Sequence, residues 1–204
     1  MRASVQSEFV QFTAAFEGSV NFMYLDVKGL VTTGVGNLID PMPLAVKLPW
    51  TCMGTRPASV EEISEGWLVV KGRQDLKLHG GMAYKNVCPL RLAQADISAL
   101  VQSRLENDEW QLRQYFPGWD SFCADAQLGI LSMAWAMGPN FPAMFPAFTT
   151  AANAGDWLTA GVQSHIKDGA PERNDANQYL FAQAFVSRDP ELLHWPRLPT
   201  SDVG

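Results

Sequence analysis

Apolar residues recur at helical spacing near the start of the chain. Val5, Phe9, Phe12 and Phe16 fall on one face at about 100° per residue. Gly18 follows and offers a stop. Glu17 falls beside Val10 at the edge of that stripe, so a carboxylate is expected where core meets surface. From Phe22 the period shortens. The segments FMYLD and LVTTGV are rich in aromatic and β-branched residues and are joined through Val27, Lys28 and Gly29. They predict a hairpin, with Gly29 available for a left-handed turn position. In the register that sets Asp26 opposite Leu30, Thr32 becomes the diagonal neighbour of Asp26 on the same sheet face. A third short strand is expected near residues 35–39.

Pro41, Pro43 and Pro49 crowd the next stretch, and no regular element is expected over residues 40–58. Ser59-Val-Glu-Glu62 has the form of a capping box and opens a helix with Ile63, Trp67 and Val70 on one side. Residues 78–86 again have the composition of a loop. The remainder is helical in pattern. Ile97, Leu100, Val101 and Leu105 make one stripe, and the acidic run 106–109 is expected to be a solvated face. LGILSMAWAMG, residues 128–138, predicts a helix buried on most sides. Further helical segments are expected over residues 145–152, 157–166 and 174–185. A helix, a small β unit, an irregular segment and then a run of helices give an α+β fold rather than α/β.

Composition narrows the function classes. At 47% hydrophobic and 18% charged, the 204 residues can bury a sizeable core, as one domain or one domain with two lobes. The net charge of -6 and pI near 5.0 argue against a nucleic-acid surface and against a basic membrane-surface helix. Cys52, Cys88 and Cys123 are widely spaced, so no disulfide framework is expected. The start MRASVQSEFVQF has no long apolar run and suggests no secretory signal. The most apolar window is too short to span a bilayer.

Two carboxylates beside a hydroxyl pair are suited to cleaving a glycosidic bond. That reaction needs a proton donor for the leaving oxygen and a carboxylate that attacks or activates water. Glu17 fits the donor, because an apolar setting favours the neutral acid. Asp26 fits the second role from a more open hairpin, and Thr32 is placed to hydrogen-bond a water held by Asp26. Gly34 and Gly36 let a sugar approach the backbone closely. The bland alternative is a helix-end carboxylate and a hairpin-turn aspartate.

The pattern E-x8-D-x5-T followed by G-x-G, here Glu17, Asp26, Thr32, Gly34 and Gly36, resembles the active-site segment of the phage-type lysozymes, glycoside hydrolase family 24. Residues 95–105 resemble the helix that joins that family's two lobes, and residues 128–138 its buried central helix. Residues 169–181 resemble its late Pro-x-Arg segment. The likeness covers roughly residues 5–40 and 90–185, with 41–89 standing as an insertion. It implies a lysozyme-like fold: a small N-terminal lobe of about residues 18–90 with a β-hairpin, and a larger helical lobe of about 91–190, joined by the first helix. It also implies a muramidase that hydrolyses the β-1,4 bond between N-acetylmuramic acid and N-acetylglucosamine, commonly with inversion. By matching position, Glu17 is the general acid, Asp26 holds or activates the water, and Thr32 assists. Gly34, Gly36 and Asn37 are expected to meet substrate. Tyr24 and Arg173 are expected to support the catalytic groups, Arg173 by approaching the glutamate. Asn37 stands where a histidine is usual, and Asn174 and Asn177 where charged residues are common. The acidic pI is also unusual for that family.

No cofactor or metal is expected, since His79, His165 and His194 form no ligand spacing. Ser132 and Cys123 carry no mark of a nucleophile. Among seven tryptophans, Trp50 and Trp119 are the candidates for a cleft rim. The expected partner is the peptidoglycan glycan strand, met in the periplasm after holin-dependent or secretion-system export. An inhibitor or immunity protein joins it in the case of a secreted effector. Nucleic acid and stable membrane insertion are not expected. The rival from another class is a catalytically silent lysozyme-like module that binds wall glycan or a protein partner.

Overall fold

The computed structural model describes residues 1–167 and 169–195; Asp168 and residues 196–204 of the expected domain lie outside them. In chain order the elements are α1 (Ala3–Glu17), β1 (Val20–Leu25), β2 (Val31–Gly34), β3 (Asn37–Leu38), α2 (Pro43–Val46), β4 (Thr51–Cys52), β5 (Arg56–Pro57) and α3 (Val60–Gly72). Then come β6 (Leu90–Arg91), α4 (Gln94–Leu112), α5 (Ala124–Met137), α6 (Phe141–Met144), α7 (Pro146–Asn153), α8 (Trp157–Gln163) and α9 (Pro171–Val186). The class is α+β, with helices dominant and two small antiparallel sheets. The chain forms two compact units: Glu17–Ser103, and Met1–Phe16 together with the chain from Arg104.

The unit Glu17–Ser103 is built on a sheet of order β1-β2-β3 and a second sheet of order β5-β4-β6. Tyr24 pairs with Thr32 and Leu25 with Val31, so the register continues to Asp26 opposite Leu30, the register that makes Thr32 the diagonal neighbour of Asp26. Residues 40–58 are a correction. The prolines do not prevent regular structure, because those that enter it sit where a missing N–H is harmless. Pro43 opens α2 at a helix N-terminus, and Pro57 lies on β5, an edge strand. Ser59 caps α3 as expected: its hydroxyl accepts from the Glu62 amide and the Glu62 carboxylate accepts from the Ser59 amide. Such a cap contributes about 1 kcal/mol. Residues from 41–89 pack on the hairpin. Trp67 Nε1 donates to the Ile39 carbonyl at 3.0 Å, and Lys71 Nζ donates to the Gly29 carbonyl at 2.9 Å.

The other unit buries α1 through Val5, Phe9 and Phe12, and α5 along almost its whole length. Fully burying each such phenylalanine contributes about 1.5–3 kcal/mol. Gly129 on α5 admits α9 closely: a Cβ there would meet Phe181 Cζ at 2.7 Å. The acidic run 106–109 is a second correction. On a 3.6-residue period Asp108 falls on the same face as Val101, Leu105 and Leu112, and it is buried with them. Arg104 Nε stands 3.5 Å from its carboxylate. Glu109 is half-buried and accepts from the N-terminal amine, Arg113 and Trp119 Nε1.

Candidate functional site

Glu17 is the last residue of α1. Gly18, at φ 69, turns the chain out of the helix toward β1. The side chain is exposed, which corrects the expectation of an apolar setting. The buried stripe of α1 runs out at Phe12 and Thr13, and Phe16 is only half-buried.

Asp26 ends the first strand and caps the hairpin. Its Oδ1 accepts from the amides of Lys28 and Leu30, both at 2.9 Å, and its backbone N–H donates to the Leu30 carbonyl at 3.0 Å. Oδ2 stays outside these turn bonds. Gly29 takes φ 78 in the turn, as the pattern required. Thr32 is buried across the hairpin, with its hydroxyl donating to the Leu30 carbonyl at 3.2 Å.

Tyr24 ties these groups together. Its hydroxyl is pushed up to about 12, first by burial, then by the charge of Glu17, then by that of Asp26; a hydrogen bond from the Gly36 backbone acts the other way. After burial, the charges of both carboxylates, Glu17 at the end of α1 and Asp26 on the hairpin, act on this one phenol. Gly81, within the supposed insertion, lies against the Tyr24 ring: a Cβ built there would be 3.4 Å from Tyr24 Cδ2. Lys71 and Asp40 hold the base of the same hairpin. Lys71 Nζ lies 2.5 Å from Asp40 Oδ2, which also accepts from the Val31 amide at 3.1 Å. Burial raises the Asp40 carboxyl, but the Lys71 hydrogen bond, the Val31 amide and the Lys71 charge outweigh it and hold the group below its ordinary range. No periodic signal marked Lys71, Asp40 or Gly81, because their contacts arise only when α3 and the following turns fold back on β1.

Gly34 and Gly36 have φ 62 and 72, conformations that side-chain-bearing residues rarely adopt, and they shape the turn between β2 and β3. Asn37 is buried, and its Oδ1 accepts from the Val35 amide at 3.2 Å. That bond locks the turn with the chain's own asparagine. Arg173 lies in the other unit, in the first turn of α9. It is buried, donates to the Ser132 carbonyl at 3.0 Å and sets its guanidinium 4.9 Å from the Phe16 ring centre.

The two tryptophans expected at a rim are core residues instead. Trp50 and Trp119 are each 1% exposed, and their N–H groups donate to the Ala45 carbonyl and to Glu109 Oε1, both at 2.9 Å. Their proline and glycine neighbours make turns that fold the indoles inward. Among the described residues no three His, Cys, Asp or Glu side chains group as a metal would need. Among the described residues no helix is long and apolar enough to cross a membrane. Chemically, the end of α1 offers an exposed carboxyl, and the hairpin offers a second carboxylate with one oxygen outside the turn bonds, a buried threonine hydroxyl and a phenol. No protein-family model matches the chain, and no curated protein matches it.

Proposed function

We propose that this chain is a peptidoglycan hydrolase, a muramidase of the phage-type lysozyme kind with a lysozyme-like fold. The observation that carries the reading is the hairpin that sets Tyr24 against Thr32 and Asp26 opposite Leu30 directly after Glu17 ends the first helix; the rise of the Tyr24 hydroxyl, by burial and then by the charges of Glu17 and Asp26, supports it. The motif Glu17, Asp26, Thr32, Gly34 and Gly36 supports it, as does the α+β class. In the proposed step Glu17 gives its proton to the oxygen of the β-1,4 bond as that bond breaks. Asp26, through Oδ2 and with Thr32 beside it, accepts a proton from a water that adds to the sugar's anomeric carbon. The products are a new reducing N-acetylmuramic acid end and a free hydroxyl on N-acetylglucosamine. With a water between acid and base the outcome is inversion, for which such carboxyls stand about 6.5–9.5 Å apart. Arg173 and Asn37 act in support, Asn37 by holding the turn. The setting is a phage endolysin or an antibacterial effector acting on periplasmic peptidoglycan, with an inhibitor protein as partner in the second case.

One observation favours a second reading. Asp26 Oδ1 and the Thr32 hydroxyl both serve the hairpin's own bonds, which is what a silent wall-binding module would retain. The two separate by turbidity. The muramidase reading expects the chain to clear a suspension of purified peptidoglycan while reducing ends accumulate. Binding to the sacculus without either signal would leave only the silent module.

A further inference from the structure

From the end of α9 to Trp195 the described chain has no regular element, yet it is fastened along the N-terminal helix and the start of α5. The Pro190 carbonyl accepts from the Ala124 amide at 2.8 Å, and the Glu191 carbonyl accepts from Ser4 Oγ at 2.7 Å. The Glu191 carboxylate pairs with Arg2 at 2.8 Å. The His194 backbone N–H donates to Asp125 Oδ1 at 2.8 Å, and its ring Nδ1 lies 2.8 Å from Oδ2 of the same fully buried carboxylate. The next residue, Trp195, sets its indole edge-on against Phe12 at 4.4 Å and against Phe16 at 5.9 Å between ring centres.

Of these contacts, those of the Trp195 ring reach the last turns of α1. A helix frays at its last turn, where carbonyls lose their partners. Gly18 follows with a positive φ and no side chain, so the helix stops there. Phe16 is only half-buried, and its ring is held by Phe12 at 5.1 Å, by Trp195 and by the Arg173 guanidinium. Of these, Trp195 is the large rigid side chain brought in by a separate segment. It has two rotatable bonds, and the His194–Asp125 contact anchors the residue just before it. We propose that Trp195, fastened through the His194–Asp125 pair, is a positioning residue that fixes the last turn of α1 and with it the direction of the Glu17 carboxyl. Its catalytic consequence rests on the muramidase reading of Glu17. A displacement of about 1 Å at a reacting group can cost up to about 100-fold in rate, so a frayed turn should register in turnover before it registers in binding.

The test uses the full chain with Trp195→Ala, Trp195→Phe and His194→Gln. It measures kcat and KM on soluble glycan oligomers, and hydrogen exchange along α1. Trp195→Ala should lower kcat about tenfold with KM within about twofold, and exchange should quicken at the Phe16 and Glu17 amides more than at Phe9. Trp195→Phe should restore most of kcat, and His194→Gln, which leaves the indole intact, should fall between. A folded Trp195→Ala protein with unchanged kcat and unchanged exchange at residues 16–17 overturns the proposal. So does exchange that quickens evenly along α1. Should Trp195→Ala not fold, wild-type kcat and exchange in His194→Gln overturn it. If the wild type cleaves no glycan, the muramidase reading fails alone, and the exchange pattern still decides whether Trp195 orders the turn.

Discussion

The Tyr24 hydroxyl reports directly on the two carboxylates. An open phenol ionises near 10, whereas Tyr24 is pushed up to about 12 by burial, then by Glu17 and Asp26. Moving the midpoint that far corresponds to roughly 3 kcal/mol of preference for the neutral phenol in the fold. Because the folded midpoint lies above the unfolded one, this stabilisation is whole below pH 10 and is lost as pH rises from 10 to about 12. Absorbance at the phenolate band, with Tyr24→Phe identifying its share among the four tyrosines, follows the ionisation. Glu17→Gln and Asp26→Asn should each bring the Tyr24 midpoint down, and the double substitution should bring it down further. Burial should still keep it above 10. If neither substitution moves it, the charges of the carboxylates do not act on the phenol.

Three further outcomes bear on the scaffold. Asn37→Ala removes the acceptor of the buried Val35 amide and should cost about 1–3 kcal/mol in urea unfolding; an unchanged midpoint would remove Asn37 as the lock of the glycine turn. Asp40 is held low by Lys71, so its contribution is present at neutral pH and lost as the solution falls below about pH 4. The stability gap between wild type and Lys71→Met should therefore narrow in acid, and a gap independent of pH would contradict the assignment. Gly129→Ala would press a methyl to 2.7 Å from Phe181 Cζ and should cost about 1–3 kcal/mol, read as a lower Tm in calorimetry.

Where local pattern and packing agree, the sequence was sufficient. The α1 stripe, the capping box at Ser59 and the Gly29 turn all follow from spacing and side-chain type, whereas the register that pairs Asp26 with Leu30 is settled by the fold. The places of Glu17 at a helix end and of Asp26 and Thr32 on a hairpin were legible in the same way, since both have short-range signatures, whereas the exposure of Glu17 was not. What escaped depends on distant segments. Asp108 reads as solvated in a charged run, yet helical phase buries it beside Leu105 and Leu112. Trp50 and Trp119 look like rim residues beside prolines and glycines, until the fold supplies acceptors for their N–H groups. The support that residues 41–89 give to Tyr24 and the hairpin base has no periodicity to read. The strap that ends in Trp195 follows a proline-containing stretch with no helical or strand pattern. Its place was set by single hydrogen bonds to Asp125, Ser4 and Ala124.

The central claim is that Glu17 donates the proton that frees the departing sugar. Mass analysis of the fragments released from purified peptidoglycan by wild type and by Glu17→Gln tests it most directly. The account expects disaccharide-peptides ending in reducing N-acetylmuramic acid from the wild type, and none above background from a Glu17→Gln protein with an unaltered circular-dichroism spectrum. Equal release by both proteins, or fragments ending in reducing N-acetylglucosamine, would contradict it.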